Sequence, residues 1–286
     1  MRWRPGGRSS NLDDLRSSTG GRGLRVGGGL GLGGIAIVLV IGLLTGQNPL
    51  QILGSLVGGA GGAVETGAPP SQEELTAEEP MVQFVSFVLD DAQKVWQQVF
   101  ARSGEQYTDA RLVLFRDAVE SQCGMGQTAM GPFYCPPDQR VYIDLSFYDE
   151  LKRRFGAPGD FAQAYVITHE IGHHVQNLLG IERQVRAQQQ RNPGAANDLS
   201  VRMELQADCF AGVWGHSTAQ RDILEQGDVE EGLNAAAAIG DDRIQRQSGG
   251  RVSPESFTHG SSAQRVEWFR RGLSEGKVES CNTFGR

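Results

Sequence analysis

The sequence predicts a mainly α (α+β) fold: a helical domain with a small β-sheet near its start, preceded by one transmembrane helix. Three observations predict it. Apolar residues recur at helical spacing from residue 81 to residue 102 and through most of the chain after residue 160. Two short runs, RLVLF (111–115) and RVYIDL (140–145), are rich in strand-forming residues. Residues 26–64 carry no charge at all.

The elements follow in order. Residues 1–25 hold six arginines against Asp13 and Asp14, and read as a basic, glycine-rich cytoplasmic tail. Residues 26–46 are the expected transmembrane helix. Within them, Val26 to Leu44 has no strongly polar side chain, and at about 1.5 Å per residue it spans a hydrocarbon core of about 30 Å. The basic flank places the N-terminus in the cytoplasm and everything after the span outside, as a single-pass membrane protein. A cleaved signal peptide, ending near Ala60 or Ala63, and a buried core helix are the competing readings. Residues 47–80 read as a flexible linker, since their second half mixes Gly, Ala and Pro with five glutamates and no basic residue.

The folded domain is expected over residues 81–286. Phe84, Phe87, Val88, Val95, Trp96 and Val99 mark an amphipathic first helix. The two strands flank a cysteine-bounded loop, FYDELKRRFG (147–156) returns to helix, and helices fill the rest, with breaks around 192–197 and 249–256. No CxxC spacing exists. Outside the cytoplasm a Cys123–Cys135 disulfide would close the loop and leave Cys209–Cys281 by elimination. Four cysteines allow three connectivities, and four buried thiols also fit the sequence. A net charge of −7 argues against a nucleic-acid partner.

The chemistry concentrates in YVITHEIGHHVQNLLG (165–180). His169 and His173 are four residues apart, so on a helix their rings project about 40° apart on one face. Two imidazoles so placed reach one zinc ion. Glu170 follows the first histidine and lies beside the metal, where its carboxylate can take a proton from an activated water. The remaining surfaces of this helix are apolar, so the polar triplet would be buried and would need a partner. A metal is the simplest one.

A catalytic zinc needs a third protein ligand. The HExxHxxGxxH pattern does not supply it, because Gln176 and Leu179 stand where it requires glycine and histidine. SVRMELQADCFAG (200–212) is the best source: Glu204 and Asp208 share one helix face, Glu204 as ligand and Asp208 as acceptor of a ligand histidine's second ring N–H. Ala207, Ala211 and Gly212 are small enough to let this helix approach the HEIGH helix. An ordinary solvated acidic pair is the plainer reading of Glu204 and Asp208 taken alone. His174 projects about 100° from the metal face. His216 reads as structural. His259, in SFTHGSS, is a candidate oxyanion donor, while helix capping by Ser261 or Ser262 explains the same local sequence equally well.

CGMGQTAMGPFYCPPDQRVYIDLSFYDEL, HEIGHHVQ, ELQADCFAG and FTHGSSAQRVEWFRRG, in this order along the chain, resemble the bacterial putative neutral zinc metallopeptidase family. The HExxH with a downstream ExxxD is also similar to the broader gluzincin group. The resemblance covers the whole chain and implies a zincin-like helical domain holding one zinc through His169, His173 and Glu204. Asp208 would orient a ligand, and Glu170 would act as base on a peptide or protein substrate. The residues between 128 and 145 are expected to offer an edge strand to such a substrate. A zinc-stabilised, non-catalytic scaffold at the membrane is the alternative, against which the intact Glu170 counts. A hydrolase acting on a non-peptide amide is a third reading.

Overall fold

The computed structural model describes residues 1–17 and 70–285. Among them are six strands, β1 (Leu12–Asp14), β2 (Arg111–Phe115), β3 (Ala118–Ser121), β4 (Gly124–Gln127), β5 (Phe133–Cys135) and β6 (Arg140–Asp144). The helices are α1 (Gln72–Ala77), α2 (Glu79–Arg102), α3 (Ser146–Arg153), α4 (Asp160–Leu178), α5 (Ile181–Arg191), α6 (Ala196–Gln220), α7 (Asp228–Ala238), α8 (Asp241–Gln247) and α9 (Ser262–Glu275). The mainly helical architecture with a small sheet near its start agrees with the expectation. The expected span at 26–46 lies outside the described residues, among which no helix is long and apolar enough to cross a membrane.

The helical core is built from large side chains set at helical spacing. Trp96 of α2 meets Phe210 of α6 edge-on at 5.3 Å, and Phe161 of α4 stacks on Trp214 of α6 at 5.7 Å. The sheet runs β1-β2-β6-β5, with the first three strands parallel and β5 antiparallel to β6. Alternation along β2 divides its side chains. Leu112 and Leu114 join the helical core, while Val113 and Phe115 pack with Tyr142, Val119 and Cys135 on the other face. The β3–β4 hairpin covers that second face. The structure joins Cys123 to Cys135 and Cys209 to Cys281.

Residues 1–17 were expected as a tail apart from the domain, and instead they are part of it. Leu12–Asp14 extends the sheet in register with Leu112–Leu114, and Trp3 packs edge-on against Phe84 at 5.2 Å. The arginines explain the docking, because they find carboxylates on the domain. Arg16 is buried between Asp14 and Glu78, 2.6 Å from the latter, and Arg8 pairs with Asp14 and Glu79. The end of the expected linker is also ordered. Ser71 and Glu74 form a reciprocal capping box that starts α1. The folded body therefore begins before Met81.

Two close helix crossings set the site. A Cβ placed on Gly172 of α4 would lie 2.9 Å from the carbonyl oxygen of Ala207 and 3.0 Å from its Cα, so α4 and α6 touch backbone to backbone there. Gly212, expected to face the HEIGH helix, instead faces α9: a Cβ there would lie 2.2 Å from the Phe269 carbonyl oxygen. Gly172→Ala is expected to force α4 from α6 and destabilise the fold by about 1–3 kcal/mol. Thermal unfolding checks this, and an unchanged midpoint would contradict the contact.

Candidate metal centre

Where α4 crosses α6, each helix turns one polar stripe toward the other. His169 and His173 come from α4; Glu204 and Asp208 come from α6, again at a spacing of one helical turn. One ligand atom from each of His169, His173 and Glu204 lies within 4.8 Å of the others. His169 Nε2 is 3.2 Å from Glu204 Oε2, and His173 Nε2 is 3.5 Å from Glu204 Oε1. Ligands about 2.0–2.1 Å from a tetrahedral zinc stand about 3.3–3.4 Å from one another. The spacing fits such an ion.

Hydrogen bonding at the far side of each ring fixes what these atoms offer. His169 Nδ1 lies 2.8 Å from Asp208 Oδ1 and donates its proton there. His173 Nδ1 lies 2.9 Å from Gln176 Oε1. The Gln176 amide cannot be reversed, since its Nε2 donates to the Met203 carbonyl at 2.7 Å and to Gln206 Oε1 at 3.1 Å. With both Nδ1 atoms protonated, both Nε2 atoms carry lone pairs, and they face a carboxylate. While both rings are neutral, three acceptors converge with no donor between them. Only a cation, a proton or a metal, satisfies that set.

Arg265 of α9 completes the charge balance. It is 2% exposed, and its Nε and Nη2 grip Asp208 at 2.8 Å each, while the Tyr165 hydroxyl donates to the same carboxylate. Arg265 neutralises Asp208, which leaves the charge of Glu204 facing the two histidines. Burial alone would push Asp208 up; Arg265 and His169 outweigh it and hold the carboxyl below its ordinary value. Burial likewise opposes the charge on Glu204, but His173, His259 and His169 hold it well below the ordinary range. Without a metal, burial lowers the pKa of His169, yet Asp208 and Glu204 prevail and raise it to about 10.

Glu170 stands next to this cluster and outside it. Burial raises its carboxyl to about 7, against the opposing charge of His169, and the backbone N–H of Tyr134 bonds to it. Tyr134 belongs to β5, so that edge strand looks toward Glu170. His174, fully buried, fastens β5 to α4: its Nδ1 meets the Tyr134 hydroxyl at 2.9 Å and its Nε2 the Thr108 carbonyl at 2.6 Å. Of the segment expected at the edge, only Phe133–Cys135 forms the outer strand; β6 is paired on both sides.

His259 precedes α9. Ser261 caps that helix, so the capping expectation describes Ser261 itself. The histidine is held separately by Asp241, whose Oδ2 accepts the backbone N–H groups of Thr258, His259 and Gly260 at 2.7–3.0 Å and whose Oδ1 lies 3.2 Å from His259 Nδ1. Burial lowers the His259 pKa, but Glu204 and Asp241 raise it above the ordinary value. His216 bonds the Leu273 carbonyl between α6 and α9, away from the cluster. Sequence reasoning missed Arg265, Gln176 and Asp241. For Arg265 a signal was present: it shares a helical stripe with Phe269 and Gly272, a core position for an arginine.

The sequence profile described as putative neutral zinc metallopeptidase matches residues 1–284. The chain belongs to that family. Membership in the zinc metallopeptidase family extends over the N-terminal head as well as the HEIGH and ELQAD segments. Among curated relatives, the uncharacterized protein YpfJ of Escherichia coli K12 is 50% identical over 298 aligned residues, covering 100% of this chain and 99% of its own length. The uncharacterized protein Rv2575 of Mycobacterium tuberculosis H37Rv is 46% identical over 189 residues, 62% of this chain and 63% of its own. No solved structure shows significant similarity to the chain.

Proposed function

We propose that the protein is a membrane-attached, zinc-dependent peptidase with one zinc per chain, held by His169, His173 and Glu204. The observation that carries this reading is the convergence of three acceptors whose outer hydrogen bonds leave them nothing to share but a cation. Bound zinc supplies a Lewis acid that polarises a carbonyl and lowers the pKa of water toward neutrality. Glu170, buried and close to neutrality, takes the proton of the attacking water and delivers it to the leaving amine. His259, with Nδ1 turned to Asp241, has its other ring nitrogen available to the oxyanion. An extended peptide would add to the outer edge of β5, whose inner edge is occupied by β6. The buried Glu170, beside the cluster but outside its ligand set, favours turnover over a zinc-stabilised scaffold. Attachment to the membrane through residues 26–46, and a domain outside the cytoplasm, belong to the same proposal; the two disulfides support an oxidising compartment.

The first test is metal analysis of the purified full-length chain and its Glu204→Ala variant. About one zinc per chain, sharply reduced by the substitution, is the expected result. Native protein free of zinc would sink the reading. Zinc kept at full strength by Glu204→Ala would remove Glu204 from the ligand set.

A further inference from the structure

The hydrogen bond that orients His173 does not end at Gln176. Gln176 is fully buried, and its Nε2 reaches Gln206 Oε1; Gln206 Nε2 in turn donates to the Cys281 carbonyl at 3.0 Å. Cys281 is bonded to Cys209, one residue past Asp208 on α6. The C-terminal segment is also pinned by Thr283, whose hydroxyl donates to the Arg202 carbonyl at 2.7 Å. A continuous chain of donors and acceptors thus runs from the covalently fastened C-terminus to the imidazole of His173.

Each amide in this chain has a direction. Gln206 presents its oxygen to Gln176 because its nitrogen is taken by the Cys281 carbonyl. Gln176 presents its oxygen to His173 because its nitrogen is taken by Gln206 and Met203. If the Cys281 carbonyl moves away, Gln206 can turn, and a turned Gln206 puts one NH₂ group against another. The amide of Gln176 then loses one of the two acceptors that set it. His173 needs the Gln176 oxygen, because a ring proton held at Nδ1 is what frees Nε2 for a metal.

We propose that Gln176 and Gln206 are positioning residues for His173, and that the Cys209–Cys281 clasp, through the Cys281 carbonyl, governs how firmly this ligand is held. The proposal rests on the assignment of His169, His173 and Glu204 as zinc ligands. It gives the 72-residue disulfide a role at the metal site, besides tethering the C-terminus.

The test is the zinc dissociation constant of the full-length chain in detergent, measured by competition with a chromogenic chelator. Gln176→Met should weaken binding by about tenfold or more, as loss of a ligand's hydrogen-bond partner does. Gln206→Met and the Cys209→Ser/Cys281→Ser pair should each weaken it about threefold, a smaller share of the same effect because they act at one remove. The decisive measurement is the cycle between the last two. In a Gln206→Met background the cysteine substitutions should change affinity less than twofold, since the connection is already cut. Thermal melting of the metal-free variants measures their folded fraction, to which each constant is referred. Native affinity in Gln176→Met overturns the positioning role. Equal losses from the cysteine pair in both backgrounds overturn the link to the clasp. A native chain that binds no zinc rejects the ligand assignment instead, which keeps the two failures distinct.

Discussion

Arg265→Met is expected to destabilise the metal-free fold by about 3–5 kcal/mol, the cost of leaving a buried carboxylate without its partner. Asp208 has no exposed surface, and both of its oxygens are gripped by this guanidinium. The His169 ring and the Tyr165 hydroxyl remain as donors, but they offset only part of the charge. Lysine should recover little, because a single ammonium cannot span both oxygens as the planar fork does. Arg265→Met combined with Asp208→Asn should recover more, since the stranded charge is gone. Denaturant unfolding of the three variants reads these differences. A loss below about 1 kcal/mol in Arg265→Met would place the pair among ordinary surface ion pairs and contradict its burial.

Glu170→Gln is expected to lower kcat/KM by about 10²- to 10⁴-fold while zinc content stays at the native level. The amide fills the same volume and still accepts from the Tyr134 N–H, but it cannot take a proton. Glu170 is also absent from the converging ligand set. Hydrolysis of a fluorogenic peptide mixture, paired with metal analysis, separates the two effects. Activity within threefold of native would remove Glu170 as the base, and lost zinc would make it a ligand.

Much of this site was legible because it is written in helical spacing. His169 with His173, and Glu204 with Asp208, each repeat at one turn, and small residues between them announce a close crossing. What escaped was the support reaching the site from elsewhere in the chain. Gln176 was weighed only as a departure from a longer zinc pattern, and its partners Met203 and Gln206 lie 27 and 30 residues away, where no local pattern connects them. Asp241 is separated from His259 by a helix and a turn. Strand β1 escaped because Leu-Asp-Asp has no apolar run; it is a strand because β2 offers an edge and Arg111 pairs with Asp13. The helix α1 did carry a signal, the Ser71–Glu74 capping box, outweighed by the linker-like composition around it.

The docked head has a consequence for topology. Arg16 touches Glu78, so the end of the described head lies beside the start of α2. A route whose two ends lie on one side of a barrier crosses that barrier an even number of times, or never. The single-pass arrangement, with residues 1–25 inside and the domain outside, needs an odd number. It would part β1 from β2 and Arg16 from Glu78, while Asp14 would stay with the head. Two of the arginines counted as a cytoplasmic flank, Arg8 and Arg16, share Asp14 of the head and each pair with one glutamate of the domain, Glu79 and Glu78. Docking thus makes the head and the helical domain one folded body among the described residues.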